Sequence, residues 1–122
     1  MFAATAAVVL ALRIGMPAEA AVSLLEGATP APQNTRTCAE WYGERDGRVF
    51  WLMAEDGLVT SFDLSGAPGG PLTAVGLRLG DAVYGRPVTP GLRYELTSDG
   101  RVTAIRGGKS AQGLIEGCEW GP

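Results

Sequence analysis

At 122 residues the chain is one domain's worth of polypeptide. A net charge of −3, from ten Lys and Arg against thirteen Asp and Glu, argues against nucleic acid or an anionic membrane surface as partner. Histidine is absent and cysteine occurs twice, which removes the commonest general base and the usual Cys/His metal sites; no GxSxG or phosphate-cradling glycine motif is present, and no cofactor is expected.

The first twenty residues, MFAATAAVVLALRIGMPAEA, hold an apolar run broken by Arg13 and ending in Ala18-Glu19-Ala20. A short apolar run closed by a small-x-small triplet has the form of a secretory signal peptide, 1–20, with the cut expected between Ala20 and Ala21. The alternative is an uncleaved segment that anchors the chain to a membrane; no Lys or Arg precedes the run, which departs from the usual basic start. Residues 21–36, with Pro30, Pro32 and small polar residues, predict an extended disordered linker, so the folded domain is expected over 37–122.

Cys38 opens that domain and Cys118 nearly closes it. In an exported chain this pair predicts a disulfide. Closing a loop of about eighty residues restricts the unfolded chain by roughly 4–5 kcal/mol, a large share of a small domain's stability. Each cysteine is followed closely by an acid and a tryptophan, Cys38-Ala39-Glu40-Trp41 and Cys118-Glu119-Trp120.

From Arg48 the pattern turns to strand. RVFWLMA, the turn EDG and LVTSFDL predict a hairpin, because β-branched and aromatic residues suit the pleat and Asp-Gly suits its turn. Gly66 to Pro71 breaks it. LTAVGLRLG is expected as a third strand ending at Gly80-Asp81. A bend through Pro87 and Pro90 then leads to a second hairpin, LRYELT, SDG and RVTAIR, and GLIEGCEW returns the chain to Cys118. The absence of a long apolar period of three and four excludes a long helix after residue 20. The expected fold is mainly β, a small antiparallel sheet of two similar hairpins; the alternative is α+β with a short helix on the sheet.

The hairpins resemble each other. Trp51, Met53, Asp56, Gly57, Val59, Thr60 and Phe62 fall on Tyr94, Leu96, Asp99, Gly100, Val102, Thr103 and Ile105, each displaced by 43, and Tyr42-Gly43 falls on Tyr84-Gly85, displaced by 42. A duplicated unit explains this, as do the shared demands of any two hairpins. A three-residue loop with Gly100 in a bulge sets Leu96 opposite Val102 and Tyr94 opposite Ala104; a two-residue loop sets Tyr94 opposite Ile105. The first register is preferred, since it turns Arg93, Glu95, Thr97, Arg101 and Thr103 outward and misplaces only Ile105. The first hairpin, apolar on both faces, is expected at the sheet's centre and the second nearer an edge.

The order Cys38, VFWLMAEDGLVTSFDL, TAVGLRLGD, RVTAIRGG and LIEGC resembles a group of uncharacterised small secreted bacterial proteins. In that group a cysteine precedes an FMVEDGRVxRID hairpin, TxxGxxxGD follows, and the chain ends in DGxRVTxIRxG and VEGC. The likeness runs from Cys38 to Cys118 and departs after Asp81, where such proteins look to carry a helix and a further strand. A more distant likeness, in paired hairpins alone, is to modules of the β-lactamase-inhibitor-protein and outer-membrane-assembly-lipoprotein type. The resemblance implies export, a bridge and a sheet, and carries no activity with it.

Candidate chemistry is sparse. Glu40 and Glu119, each beside a cysteine, form the one carboxylate pair a small hydrolase would use, and their ordinary reading is as solvated acids at the rim. Asp56 and Asp99 are explained by turn formation without calcium. The expected function is therefore that of an exported non-catalytic domain binding a protein or cell-envelope component through Arg93, Glu95, Thr97, Arg101 and Thr103. A hydrolase and a purely structural envelope protein are the alternatives.

Overall fold

The computed structural model describes residues 11–25, 27–71, 73, 74, 76–83, 91–109, 111, 117 and 118. Among these residues one short helix, α1 (Ala18–Leu24), precedes six strands: β1 (Thr29–Pro30), β2 (Cys38–Arg45), β3 (Arg48–Glu55), β4 (Leu58–Gly66), β5 (Leu92–Leu96) and β6 (Val102–Gly108). All pair antiparallel in a single sheet of order β1-β2-β3-β4-β6-β5. The expected mainly β fold is the observed one, with the first hairpin, β3-β4, at the centre and β5 at the edge. Cys38 and Cys118 form the expected disulfide, with their Cα atoms 5.7 Å apart.

Turn chemistry accounts for the hairpins. Asp46-Gly47 and Asp56-Gly57 make two-residue turns with φ of 52° and 79°, and of 51° and 81°. Two consecutive left-handed residues match the twist of the flanking strands, and Asp and Gly are among the residues that accept that geometry. The third hairpin has one more loop residue: Thr97 N–H donates to Arg101 O at 2.8 Å around Ser98-Asp99-Gly100, with Gly100 at φ 82°.

Leu96 stands opposite Val102, as the three-residue loop requires. The next pair is Glu95 with Ala104, so Thr103 is bulged out, and Tyr94 then faces Ile105 instead of Ala104. The bulge corrects the one misplaced residue: it rephases β6 so that both Val102 and Ile105 enter the core. The first hairpin does the same at Thr60, between the pairs Ala54 with Val59 and Met53 with Ser61. The displacement of 43 therefore holds along the returning strands β4 and β6. On the outgoing strands the extra loop residue reduces it to 42, which makes Leu52 the counterpart of Tyr94. The matches of Trp51 with Tyr94 and of Met53 with Leu96 are likenesses of letters only.

Three expectations need correction. LTAVGLRLG is not a strand: Thr73 and Leu79 make isolated bridges to Leu12 and Gly69, and Gly76 and Gly80 at φ 79° and 90° curl the segment while Leu77 and Leu79 stay buried. The sequence gives no clear sign of β2, because its charged end Glu44-Arg45 masks the alternation that the Asp46-Gly47 turn would otherwise announce. Residues 21–36 differ from a disordered linker, since they contain most of α1 and β1, with Ala21 and Leu25 buried. Ala18, Ala21 and Leu25 stand three and four apart, one helical face turned to the sheet. The first ten residues, the Pro87 and Pro90 bend, Tyr84-Gly85 and most of GLIEGCEW lie outside the described residues.

The core covers one face of the sheet. Phe50, Leu52, Val59, Phe62, Leu64, Val102 and Ile105 project from it, and Leu12, Met16, Ala21, Leu25, Leu77 and Leu79 close over them. Gly107 lies directly opposite Phe62, and a Cβ there would approach the Phe62 ring within 2.3 Å. Gly107→Ala is therefore expected to cost about 1–3 kcal/mol by overpacking. Denaturant unfolding should show much of that loss recovered when Phe62→Leu is added; strict additivity of the two changes would contradict the contact.

Candidate partner-binding edge

β5 is the outer strand of the sheet, and among the described residues no strand pairs with its second edge. The five residues expected to form the partner surface do gather there, in different roles. Arg93 and Glu95 lie in β5 on the face away from the core, opposite Arg106 and Ala104. Arg106 donates to Glu95 at 3.0 Å and lies 4.0 Å from Asp63 on β4, so one guanidinium ties β4, β5 and β6 together. Arg93 is exposed and has no ion-pair partner among the described residues. Two cations face each other across the ladder, and among the described residues only Arg106 has an acid beside it.

The other three serve the hairpin itself. The Thr97 hydroxyl bonds Asp99 and accepts the Arg101 N–H at 3.0 Å, and it is the main reason the Asp99 carboxyl sits below its ordinary range. Arg101 reaches Gly80 O at 3.3 Å. The bulged Thr103 donates to Glu95 O at 3.1 Å. Arg93 and Glu95 are thus the members of the strip on β5 itself, while Thr97 and Arg101 are exposed at the hairpin tip and Thr103 is half-buried.

The carboxylate expected at the rim is placed otherwise. Glu40 is only 4% exposed, a correction to its reading as a solvated acid. Its carboxylate accepts the Trp51 indole N–H at 3.0 Å, and a Cβ on Gly117 would come within 2.5 Å of the same oxygen. Strand alternation places Glu40 beside Trp51 and Met53, and the disulfide brings Gly117 over it. Tyr42, its neighbour on that face, is held above its ordinary range first by burial and then by the negative charge of Glu40. Glu119, the other half of the proposed carboxylate pair, lies outside the described residues, as does Trp120.

A cleft of about 550 Å³ opens between the start of α1 and the turn at Asn34-Thr35-Arg36, floored by Ala39, Trp41 and Ala54. Glu19, Asn34, Thr35 and Arg36 are the polar side chains that line it, and the Asn34 amide is already bonded on both sides to the Glu40 backbone, at 2.8 Å each way. Among the described residues no group of three metal-ligating side chains occurs, and no helix is long and apolar enough to cross a membrane. Compared with protein-family models, with curated proteins and with solved structures, the chain matches none.

On the same polar face Lys109 donates to Glu55 at 2.7 Å and Thr60 does so at 3.0 Å. The Lys109 bond, and then that of Thr60, hold the Glu55 carboxyl below its ordinary range. A depressed folded-state pKa stabilises the fold above the unfolded-state value, and the benefit disappears as pH falls through the folded one. Glu55→Gln is expected to lower stability at pH 7 by less than about 1 kcal/mol, since the pair is partly exposed. Chemical denaturation of both chains should show that gap closing as pH falls through the folded pKa of Glu55; a gap that persists in acid would assign the loss to packing instead.

Proposed function

We propose that this is an extracytoplasmic, non-catalytic binding domain, secreted or periplasmic, that takes an extended segment of a protein or cell-envelope component along the outer edge of β5. The disulfide is consistent with an oxidising compartment. The observation that carries the binding reading is that, among the described residues, β5 is paired on one side only and its Arg93 has no ion-pair partner. Such an edge offers backbone donors and acceptors to an added strand, and alternate side chains select it. A carboxylate on the incoming segment would meet Arg93, completing the charge pattern that Arg106, Glu95 and Asp63 begin. The motif resemblance to small secreted bacterial proteins agrees with this placement.

The test is capture from an envelope fraction with a photoreactive residue installed at Leu96, which is half exposed in β5. Arg93→Glu together with Arg101→Glu is expected to reduce the cross-linked product at least about fivefold, on the order of 1 kcal/mol of binding, while the thermal midpoint falls by no more than the loss of the exposed Arg101–Gly80 hydrogen bond accounts for. Capture at wild-type yield from the folded double variant would remove this edge from consideration.

A further inference from the structure

Two segments outside the strands dock on the two hairpins in the same way. Residues 12–18 and 77–83 share the run Leu-Arg-aliphatic-Gly, displaced by 65. In the first, Gly15 N–H donates to Val59 O at 2.8 Å, Val59 N–H to Met16 O at 2.9 Å, and Ala18 N–H to Gly57 O at 2.9 Å. In the second, Gly80 N–H donates to Val102 O at 2.7 Å, Val102 N–H to Asp81 O at 2.9 Å, and Val83 N–H to Gly100 O at 2.9 Å. Every bond of one set maps on the other by 65 positions along the segment and 43 along the hairpin.

The local geometry repeats as well. Gly15 and Gly80 have φ of 87° and 90°. The N–H of Arg13 meets the Met16 sulfur at 3.4 Å, and that of Arg78 meets the Asp81 carboxylate at 2.8 Å. Leu12 and Leu77 are both buried, and antiparallel bridges join Pro17 to Leu58 and Ala82 to Arg101. In both places the segment satisfies backbone groups at a hairpin tip that the neighbouring strand leaves unpaired, because β4 and β6 pair with each other only over 61–65 and 104–108.

We infer that residues 12–18 are a permanent element of the domain, the counterpart of 77–83, and that the Ala20–Ala21 bond stays intact in the mature protein. An export leader, where one is removed, then ends before Leu12. Cleavage after Ala20 would take Leu12, Met16 and Ala18 out of the core and strip Val59 and Gly57 of their partners. The bond also lies inside α1, with Ala21 fully buried, so once the domain has folded it is out of a protease's reach.

Intact-mass measurement of the disulfide-bonded protein, expressed as the full chain and recovered from the oxidising compartment, tests this directly. The expected product contains Leu12 to Leu25; a chain beginning at Ala21 would overturn the inference. Gly15→Val provides a second reading, since a Cβ there meets nothing within 4 Å and only the left-handed backbone is strained. It is expected to lower the thermal midpoint by roughly 5–10 °C, and an unchanged midpoint would show that residues 12–18 contribute nothing to the folded domain.

Discussion

A single open sheet cannot bury its own apolar face, and everything else in this structure follows from that constraint. Phe62 and Leu52 at the centre of the sheet need a cover, and among the described residues there is no second sheet or long helix to supply it. The cover is assembled from pieces: the segment around Leu12 and Met16, the inner face of α1, and the curled loop carrying Leu77 and Leu79. The bulges at Thr60 and Thr103 serve the same requirement from the other side. Each shifts its strand by one residue so that the apolar side chains on both sides of the bulge reach the covered face.

The opposite face is organised by charge and by the disulfide. Asp63, Arg106 and Glu95 run across three strands, and Lys109 meets Glu55 nearby. These pairs are partly exposed and individually weak, so they set which residues face outward more than they set stability. The disulfide contributes most through the unfolded chain, which it shortens by a loop of 80 residues. It also positions Gly117 against Glu40, so that a carboxylate two residues from a cysteine is buried and bonded to Trp51 and is withheld from solvent.

The two-fold repetition gives the edge strand its meaning. In the first copy, the residues between the docking segment and the hairpin include α1, β1 and β2, and β2 covers the outer edge of β3. In the second copy only eight residues separate Val83 from Leu92. β5 is the counterpart of β3, and no strand corresponding to β2 is hydrogen-bonded to it among the described residues. The binding reading rests on that difference between two otherwise similar units.

The sequence by itself determined the mainly β class, the disulfide, the hairpins β3-β4 and β5-β6, the three-residue loop at Ser98-Asp99-Gly100 and the outward placement of Arg93 and Glu95 on β5. These depend on local chemistry: turn residues that accept positive φ, β-branched strands, and an even cysteine pair. The bulges, β2, and the burial of Glu40 were settled only by tertiary structure, because each depends on what lies across the sheet from a residue and not on its neighbours in the chain. The same is true of residues 12–25. Their apolar run looks like a leader when read along the chain, and only the hydrogen bonds to Gly57 and Val59, repeated at Gly100 and Val102, place them in the fold.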